Sequence, residues 1–248
     1  KGVRMTAQAI EKVMNRRFVE LGQREDLFKL VAAAAAKGEA LDAADQKLLD
    51  KTLRDYRDSG LGLDPEKRAR LKAVQTKLND LSARFEININ ESKDWLEVDD
   101  AGLEGLPADY KASLEKTPEG RYKVGLDYPS YVPFMRYAKS GELRKALNHK
   151  YENRAMPDNL PILREGLELR REAALLLGYP DYPTMALKDR MAKTPARVAE
   201  FLTRLTGKVR ARAKRELAAV LEVKRRDEPG ATEVGDHERG YYSRLLRE

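Results

Sequence analysis

Apolar side chains recur at steps of three and four residues along DPEKRARLKAVQTKLNDLSARFEININ, residues 64–90. This spacing predicts one long helix, with Asp64 as N-cap and Pro65 at its first position. Such a seam has to be covered by another helix, and the short turn DSGLGLD before it favours an antiparallel hairpin with the preceding helix. An oligomeric coiled coil is the alternative. The seam residues are Leu71, Val74, Leu78, Leu81 and Phe85.

Two helices are predicted before this seam. Thr6 is a candidate N-cap for a core-facing helix that is broken near Gly22 and resumes through a run of five alanines at 32–36. Alanine is the strongest helix former, so this run favours a helix and is not a motif. Asp42 is the N-cap candidate of the next helix, which should stop at Gly60. The apolar residues of the first helix are Ile10, Val13, Met14, Phe18 and Leu21.

Helical period is lost between Trp95 and about Pro133. Residues 121–127 alternate in polarity, with Tyr122, Val124 and Leu126 on one face, which is typical of a short strand. We therefore expect a mainly α protein of helical hairpins and bundles with a small β excursion. The predicted division is an amino-proximal helical hairpin region at 1–94, a β-containing insert at 95–133 and a helical region at 134–248.

Helical pattern returns at residues 141–153, 160–177 and 195–225, the last begun by Thr194 and Pro195. Between the second and third of these helices Gly178 supplies a left-handed stop, and Pro180 and Pro183 prevent continuation. Tyr179, Tyr182 and Met185 should fill the gap between the helices. On structure alone, this corner is a joint between helices.

The charge pattern limits the classes of partner. Lysine and arginine number 48 against 41 aspartate and glutamate, a net charge of +7, but the two signs are interleaved. The best basic cluster lies on one helix, and binding of nucleic acid or acidic partners by this helix is the alternative function. With no cysteine and no long apolar run, we expect a cytoplasmic protein that contacts no membrane. The cluster comprises Lys208, Arg210, Arg212, Lys214, Arg215, Lys224, Arg225 and Arg226.

Catalytic motifs are absent from the sequence. His237, in DHERGYY, resembles the start of an H-E-x-x-H zinc motif, but Tyr241 stands where the second histidine is required. His149 has no ligand set at a suitable spacing, and Asp99 and Asp100 are adjacent and point apart. We predict that neither histidine binds metal and that this chain contains no catalytic residue. No pattern in the sequence marks its substrate-binding residues.

Several separate blocks resemble the thimet oligopeptidase, neurolysin and oligopeptidase A family of zinc metallopeptidases. They run from about Leu48 to the end, with Pro183 and HERGYY as mild departures from the family pattern. HERGYY replaces a tryptophan-aspartate-x-x-tyrosine-tyrosine pattern. The blocks are LEGLPADY at 103–110, RYKVGLDYPSYVPFMRYA at 121–138, ELRKALNHKYENRA at 142–155, LELRREAALLLGYPDYPTMALKDRMAKTPARVAEFL at 167–202 and HERGYY at 237–242.

This resemblance implies one lobe of a channel-containing oligopeptidase fold. Family members hydrolyse short peptides with a zinc-bound water, and their H-E-x-x-H and assisting tyrosines lie downstream of the tyrosine-tyrosine block. No ligand or catalytic residue is therefore carried over to this chain. The resemblance implies an amino-proximal segment that forms part of the channel wall. We expect this segment to bind no zinc itself, to be inactive alone, and to have short peptides and the missing catalytic lobe as partners.

Overall fold

The computed structural model describes residues 2–248, most of which are helical, as the sequence predicted. The helices are α1 (Gly2–Gly22), α2 (Glu25–Ala36), α3 (Ala43–Asp58), α4 (Pro65–Asn90), α5 (Ala108–Ser113), α6 (Tyr128–Tyr137), α7 (Gly141–Glu152), α8 (Met156–Leu176), α9 (Tyr182–Leu187), α10 (Pro195–Asp227) and α11 (Asp236–Leu245).

A three-stranded antiparallel sheet occupies the predicted β excursion. Its strands are β1 (Trp95–Val98), β2 (Glu115–Lys116) and β3 (Tyr122–Gly125), in the order β1-β3-β2. Leu96 lies opposite Val124 and Val98 opposite Tyr122, so both inward-facing pairs are apolar or aromatic. The predicted alternation of residues 121–127 is confirmed, because Val124 and Leu126 are buried.

The chain forms two compact units that alternate along the sequence. One contains the residues up to Ile87 together with Pro157–Val198, and the other contains Asn88–Met156 with Ala199–Glu248. The predicted division at residues 94 and 133 was sequential, and it stays a prediction.

In the first unit, the seam of α4 packs against α8. Leu71, Val74 and Ala173 form its buried centre. Ion pairs join Arg70 to Glu172 and Lys77 to Glu165, so residue numbers rise along one helix as they fall along the other. The two helices are therefore antiparallel. The predicted seam is confirmed, but its predicted partner was wrong, since the seam contacts lie on α8 while α3 packs on α2.

The amino-terminal predictions require two corrections. Thr6 is not an N-cap, because α1 begins at Gly2 and the Thr6 hydroxyl donates to the Gly2 carbonyl oxygen one turn earlier. The helix is also not core-facing, since the side chains of Ile10 and Phe18 are 58% and 62% exposed. The break near Gly22 is confirmed, because α1 ends there and α2 begins at Glu25.

Of the four side chains predicted to cap a helix, three are confirmed as caps and Thr6 is the exception. Asp42 accepts hydrogen bonds from the amides of Ala44 and Asp45 at 2.9 and 2.8 Å. Asp64 accepts from Lys67 at 2.9 Å, and Thr194 accepts from Arg197 at 3.3 Å. A side-chain acceptor satisfies an amide that the helix itself leaves unpaired, which fixes where the helix begins.

The second unit has its own core between the sheet and three helices. Helix α11 packs on α6 and α7, α6 contacts β3, and α7 contacts β1. Gly105 approaches this core closely, since a Cβ there would lie 2.3 Å from the carbonyl oxygen of Tyr137. The core is centred on Leu96, Val98, Leu103, Val124, Leu126, Phe134, Ala138 and Leu147.

Candidate functional site

The two histidines lie in different surroundings, and neither has a set of metal ligands around it. His149 is exposed on α7, with the Asn153 side-chain nitrogen 3.3 Å from its Nδ1. His237 is half-buried in the first turn of α11. Across residues 2–248, no three His, Asp or Glu side chains come together as a metal site would need. These residues therefore do not fit a zinc centre.

The corner between α8 and α10 is tied to α3 through Lys188. Its ammonium group binds the Asp58 carboxylate, donates to the Tyr179 hydroxyl at 3.1 Å and lies 5.0 Å from the Tyr179 ring centre. Burial lowers the pKa of Lys188, but the hydrogen bonds to Asp58 and Tyr179 outweigh it, and the net shift is upward. The lysine therefore stays charged and fastens the corner to the unit.

The turn within this corner is formed by the predicted residues. Gly178 has a φ of 83°, the left-handed conformation expected after α8. Asp181 then caps the short helix α9 by accepting from the Thr184 amide at 2.7 Å. Tyr179, Tyr182 and Met185 are each half-buried. The prediction of a joint between helices is confirmed, and its side chains are engaged in packing and capping.

The HERGYY block contains a buried ion pair that sequence reasoning missed. Glu238 accepts from the Lys224 ammonium at 2.7 Å and from the Gly235 amide at 2.8 Å. Its side chain is 8% exposed, and that of Lys224 is 10% exposed. Burial raises the pKa of Glu238, but these hydrogen bonds from Lys224 and Gly235 outweigh it and leave the pKa lowered. Lys224 is thereby removed from the predicted basic surface of α10.

Arg144 is the largest fully buried side chain of the second unit. Its Nη1 donates to the carbonyl oxygens of Ala138 and Lys139 at 2.6 and 2.9 Å, just after α6 ends. Its guanidinium lies 4.1 Å from the ring centre of Tyr241. Burial is the main influence on this group and lowers its pKa. The arginine stabilises the carboxyl end of α6 and joins it to α7 and α11.

Two helix faces expose apolar side chains at helical spacing. The first is the α1 face, defined by Ile10, Val13, Met14, Phe18 and Leu21. The second is the α10 stripe, defined by Phe201, Leu202, Leu205, Val209 and Leu217, all between 43% and 53% exposed. Further along α10, Val220 and Val223 are buried against Tyr241 and Tyr242. The α10 stripe therefore continues the line of a packed interface but is itself uncovered.

The remaining basic residues of α10 are only partly paired. Arg212 binds Glu216 at 2.7 Å and Arg225 binds Glu222 at 2.6 Å, each within the helix. The ion pairs formed by residues 2–248 include none for Lys208, Arg210, Lys214 or Arg215. No helix in this described part of the chain is both long and apolar enough to cross a membrane.

Comparison with known proteins explains these blocks. The model of peptidase family M3 matches residues 134–248. Oligopeptidase A of Salmonella typhimurium is 34% identical over 218 residues, covering 82% of this chain and 32% of the relative. The chain belongs to peptidase family M3. Oligopeptidase A of Escherichia coli is 32% identical over 240 residues, 90% of this chain and 35% of that protein.

The similarity to M3 peptidases extends beyond the sequence blocks on which the resemblance was based. A probable thimet oligopeptidase of Arabidopsis thaliana is 28% identical over 246 residues, which is 99% of this chain and 34% of that protein. The predicted resemblance began near Leu48, so its start was placed too late. The chain spans about a third of the length of these M3 relatives.

The M3 blocks coincide with packing elements of the two units. The block at 167–202 forms the second half of α8, the corner and the start of α10. ELRKALNHKYENRA forms α7, and HERGYY forms the first half of α11. Their buried residues include Ala174, Arg144, Glu238, Tyr241 and Tyr242. Each of these three blocks therefore contributes at least one buried side chain to its unit.

Proposed function

We propose that this chain is part of a zinc-dependent oligopeptidase that hydrolyses short peptides. The proposal rests on membership of peptidase family M3 and on relatives named as oligopeptidases. Residues 2–248 hold no metal-binding cluster, so the zinc site is assigned to a catalytic lobe outside them. The role of this chain is to form part of the wall of the substrate channel. We also propose a cytoplasmic location, because a chain without cysteine has no need of an oxidising compartment.

The single observation that carries the wall role is the uncovered α10 stripe. Five large apolar side chains stand half-exposed on one face of a helix whose next turns are buried in a core. Contiguous apolar patches beyond a few hundred Å² are rare on soluble monomers and mark contact surfaces. The occupant we propose is the catalytic lobe of the same polypeptide, because the M3 relatives are about three times as long as this chain.

In this account the residues of the chain bind no metal and transfer no proton. Zinc, when bound by the catalytic lobe, would polarise the scissile carbonyl and activate water. The packed elements described above, including the buried Arg144 cluster and the Lys188 corner, give the wall its rigidity. A narrow rigid channel admits short unfolded peptides and excludes folded proteins.

The test is a chimera. This chain, joined in one polypeptide to the part of Escherichia coli oligopeptidase A that it does not match, should cleave short peptides. A chelator should abolish the cleavage and zinc should restore it. A folded, zinc-loaded chimera without peptidase activity would reject the proposed function.

Substitutions on α10 test the wall role separately. Leu205→Asp places a charge on the stripe, whereas Thr203→Asp places the same charge about 200° around the helix. Both positions are exposed, so both variants of the 248-residue chain should fold. We expect Leu205→Asp to reduce hydrophobic-dye binding by the chain and to impair the chimera, and Thr203→Asp to do neither. Equal effects of the two variants would contradict the assignment of the stripe.

A second candidate function is supported by the unpaired basic side chains of α10. Lys208, Arg210, Lys214 and Arg215 are exposed and could meet nucleic acid or an acidic protein. Binding through such a surface releases counterions and falls steeply with salt. Tight binding to DNA or RNA with that salt dependence, lost when these four residues are replaced by glutamine, would favour this function over the peptidase wall.

A further inference from the structure

A small cavity between α6 and α11 is lined mainly by arginine. It has a volume of about 240 Å³ and lies at the carboxyl ends of both helices. This volume is below that of typical sites for drug-sized ligands, so only a small group could be enclosed. The lining residues are Arg136, Tyr137, Gly240, Arg244, Arg247 and Glu248.

Arg244 is held rigidly at the centre of this cavity. Its Nε donates to the carbonyl oxygen of Arg136 at 2.9 Å. Its guanidinium lies 4.9 Å from the Tyr137 ring centre and 5.4 Å from that of Tyr241. The side chain is 21% exposed, so it is fixed by packing on one side and open to the cavity on the other. A preorganised guanidinium is well suited to bind an oxyanion.

The cavity already holds a carboxylate. Nη1 of Arg244 donates to both oxygens of Glu248, at 2.7 and 2.6 Å. The Glu248 side chain is itself 59% exposed, so its carboxylate reaches Arg244 from the solvent side. This geometry shows that the position in front of Arg244 accommodates an oxyanion. Because the present occupant is more than half exposed, an incoming anion can reach the same position from solvent.

Positive charge remains in excess after this pairing. Counting side chains alone, three guanidinium groups and the Glu248 carboxylate line the cavity, an excess of two positive charges. Each of the two helix ends adds only about half a negative charge, which reduces the excess without cancelling it. Arg136 is exposed and forms no ion pair within residues 2–248, and the Nε of Arg247, just beyond the end of α11, donates to the carbonyl oxygen of Ser243. Both can turn toward an incoming anion.

We propose that this cavity, defined by Arg136, Arg244 and Arg247, is a binding site for a small oxyanion, a carboxylate or phosphate group, with Glu248 as its internal competitor. The site is independent of the proposed peptidase function, since it lies within one compact unit and requires no zinc. A carboxylate would accept from Nη1 of Arg244, as both oxygens of Glu248 do now. A phosphate group would offer further oxygens to Arg136 and Arg247.

The test uses the isotope-labelled 248-residue chain, titrated with sodium phosphate and separately with sodium acetate at low ionic strength. The arginine Nε–H signals and the Gly240 amide are followed by nuclear magnetic resonance. Arg136→Gln and Arg247→Gln remove one cavity charge each at exposed positions, so they leave the fold intact. Arg226→Gln on α10 removes the same charge from an exposed position outside the cavity and is the matched control.

We expect saturable changes in chemical shift that are confined to residues of the cavity. The dissociation constant should rise about fivefold in Arg136→Gln and in Arg247→Gln and stay within about twofold in Arg226→Gln. Glu248→Gln should lower it by about threefold or more, because the competing carboxylate is gone. Tighter binding of phosphate than of acetate would identify a tetrahedral ligand, and the reverse a planar one. Equal weakening by Arg226→Gln, or no gain in Glu248→Gln, would overturn the proposal.

Discussion

Replacement of Glu238 by alanine should strongly destabilise the second unit. It leaves the Lys224 ammonium buried without its closest partner, and breaking a buried ion pair in this way costs about 3–5 kcal/mol. The Glu228 carboxylate, 3.5 Å away and half-exposed, can take over part of the interaction. The Gly235 amide at the start of α11 also loses its acceptor, at a cost of about 1 kcal/mol. Together these contributions predict a loss of about 3 kcal/mol in the free energy of unfolding.

Glu238→Gln tests the ion pair with Lys224 separately from the hydrogen bond that caps α11. Glutamine retains an acceptor for the Gly235 amide but cannot neutralise Lys224, so we expect a loss of about 2 kcal/mol near neutral pH. Urea denaturation followed by far-ultraviolet circular dichroism measures both variants. The control is Asp236→Asn, which removes the carboxylate of an exposed pair with Arg239 and should cost no more than about 0.5 kcal/mol.

The contribution of Glu238 to the free energy of unfolding should depend on pH. The folded pKa of Glu238 lies below its unfolded value, which is about 4.3 for a free glutamate. The pair therefore contributes its full stability above that unfolded pKa and loses it as pH falls through the folded pKa. The difference between wild type and Glu238→Gln should shrink below about pH 4. A loss of less than about 1 kcal/mol in Glu238→Ala, or a difference between wild type and Glu238→Gln that does not change with acid, would show that the buried ion pair does not stabilise the second unit.

Three further substitutions test the packing by the same denaturation. Gly207→Ala should raise the free energy of unfolding by about 0.5–1 kcal/mol, because Gly207 lies in the interior of α10 and a Cβ there meets open space. Gly105→Ala should lower it by more than about 2 kcal/mol or prevent folding, since the new Cβ would lie 2.3 Å from the Tyr137 carbonyl oxygen at a φ of +88°. Leu71→Ala should lower it by about 2–5 kcal/mol, because Leu71 is fully buried between α4 and α8.

Helix boundaries and caps were predictable because they depend on neighbouring residues. Asp42, Asp64 and Thr194 each satisfy an amide two or three residues away, so the sequence contains both partners. Thr6 failed because threonine can also bond the carbonyl one turn earlier inside a helix, and the residues alone do not distinguish the two arrangements.

Pairing between distant elements could not be read from the sequence. The seam of α4 shows that a partner exists, but it does not show that this partner is the distant α8 and not the neighbouring α3. The ion pairs that fix the α4–α8 register, such as Lys77 with Glu165, are far apart in sequence. Likewise the α1 face has a clear apolar period, yet its side chains are exposed. Periodicity alone does not show whether another element covers a helix face.

The buried charges were the main omission in the candidate site. Lys224 was assigned to a basic surface, although a local signal for its partner existed, because Glu238 stands three residues after Gly235, the spacing of a capping box. No comparable signal marked Arg144. Its burial depends on carbonyl groups at the end of α6 and on aromatic rings of α11, which only the folded chain brings together.

We propose that this M3 chain forms part of a channel wall and that catalysis belongs to residues outside it. The sharpest test is peptide hydrolysis by the purified 248-residue chain, with its mass verified and zinc supplied. We expect no cleavage above the zinc-only control, because residues 2–248 bring no metal-ligand cluster together to activate water. Chelator-sensitive cleavage by this chain alone, lost on replacing His149 or His237, would contradict it and place an active site within these residues.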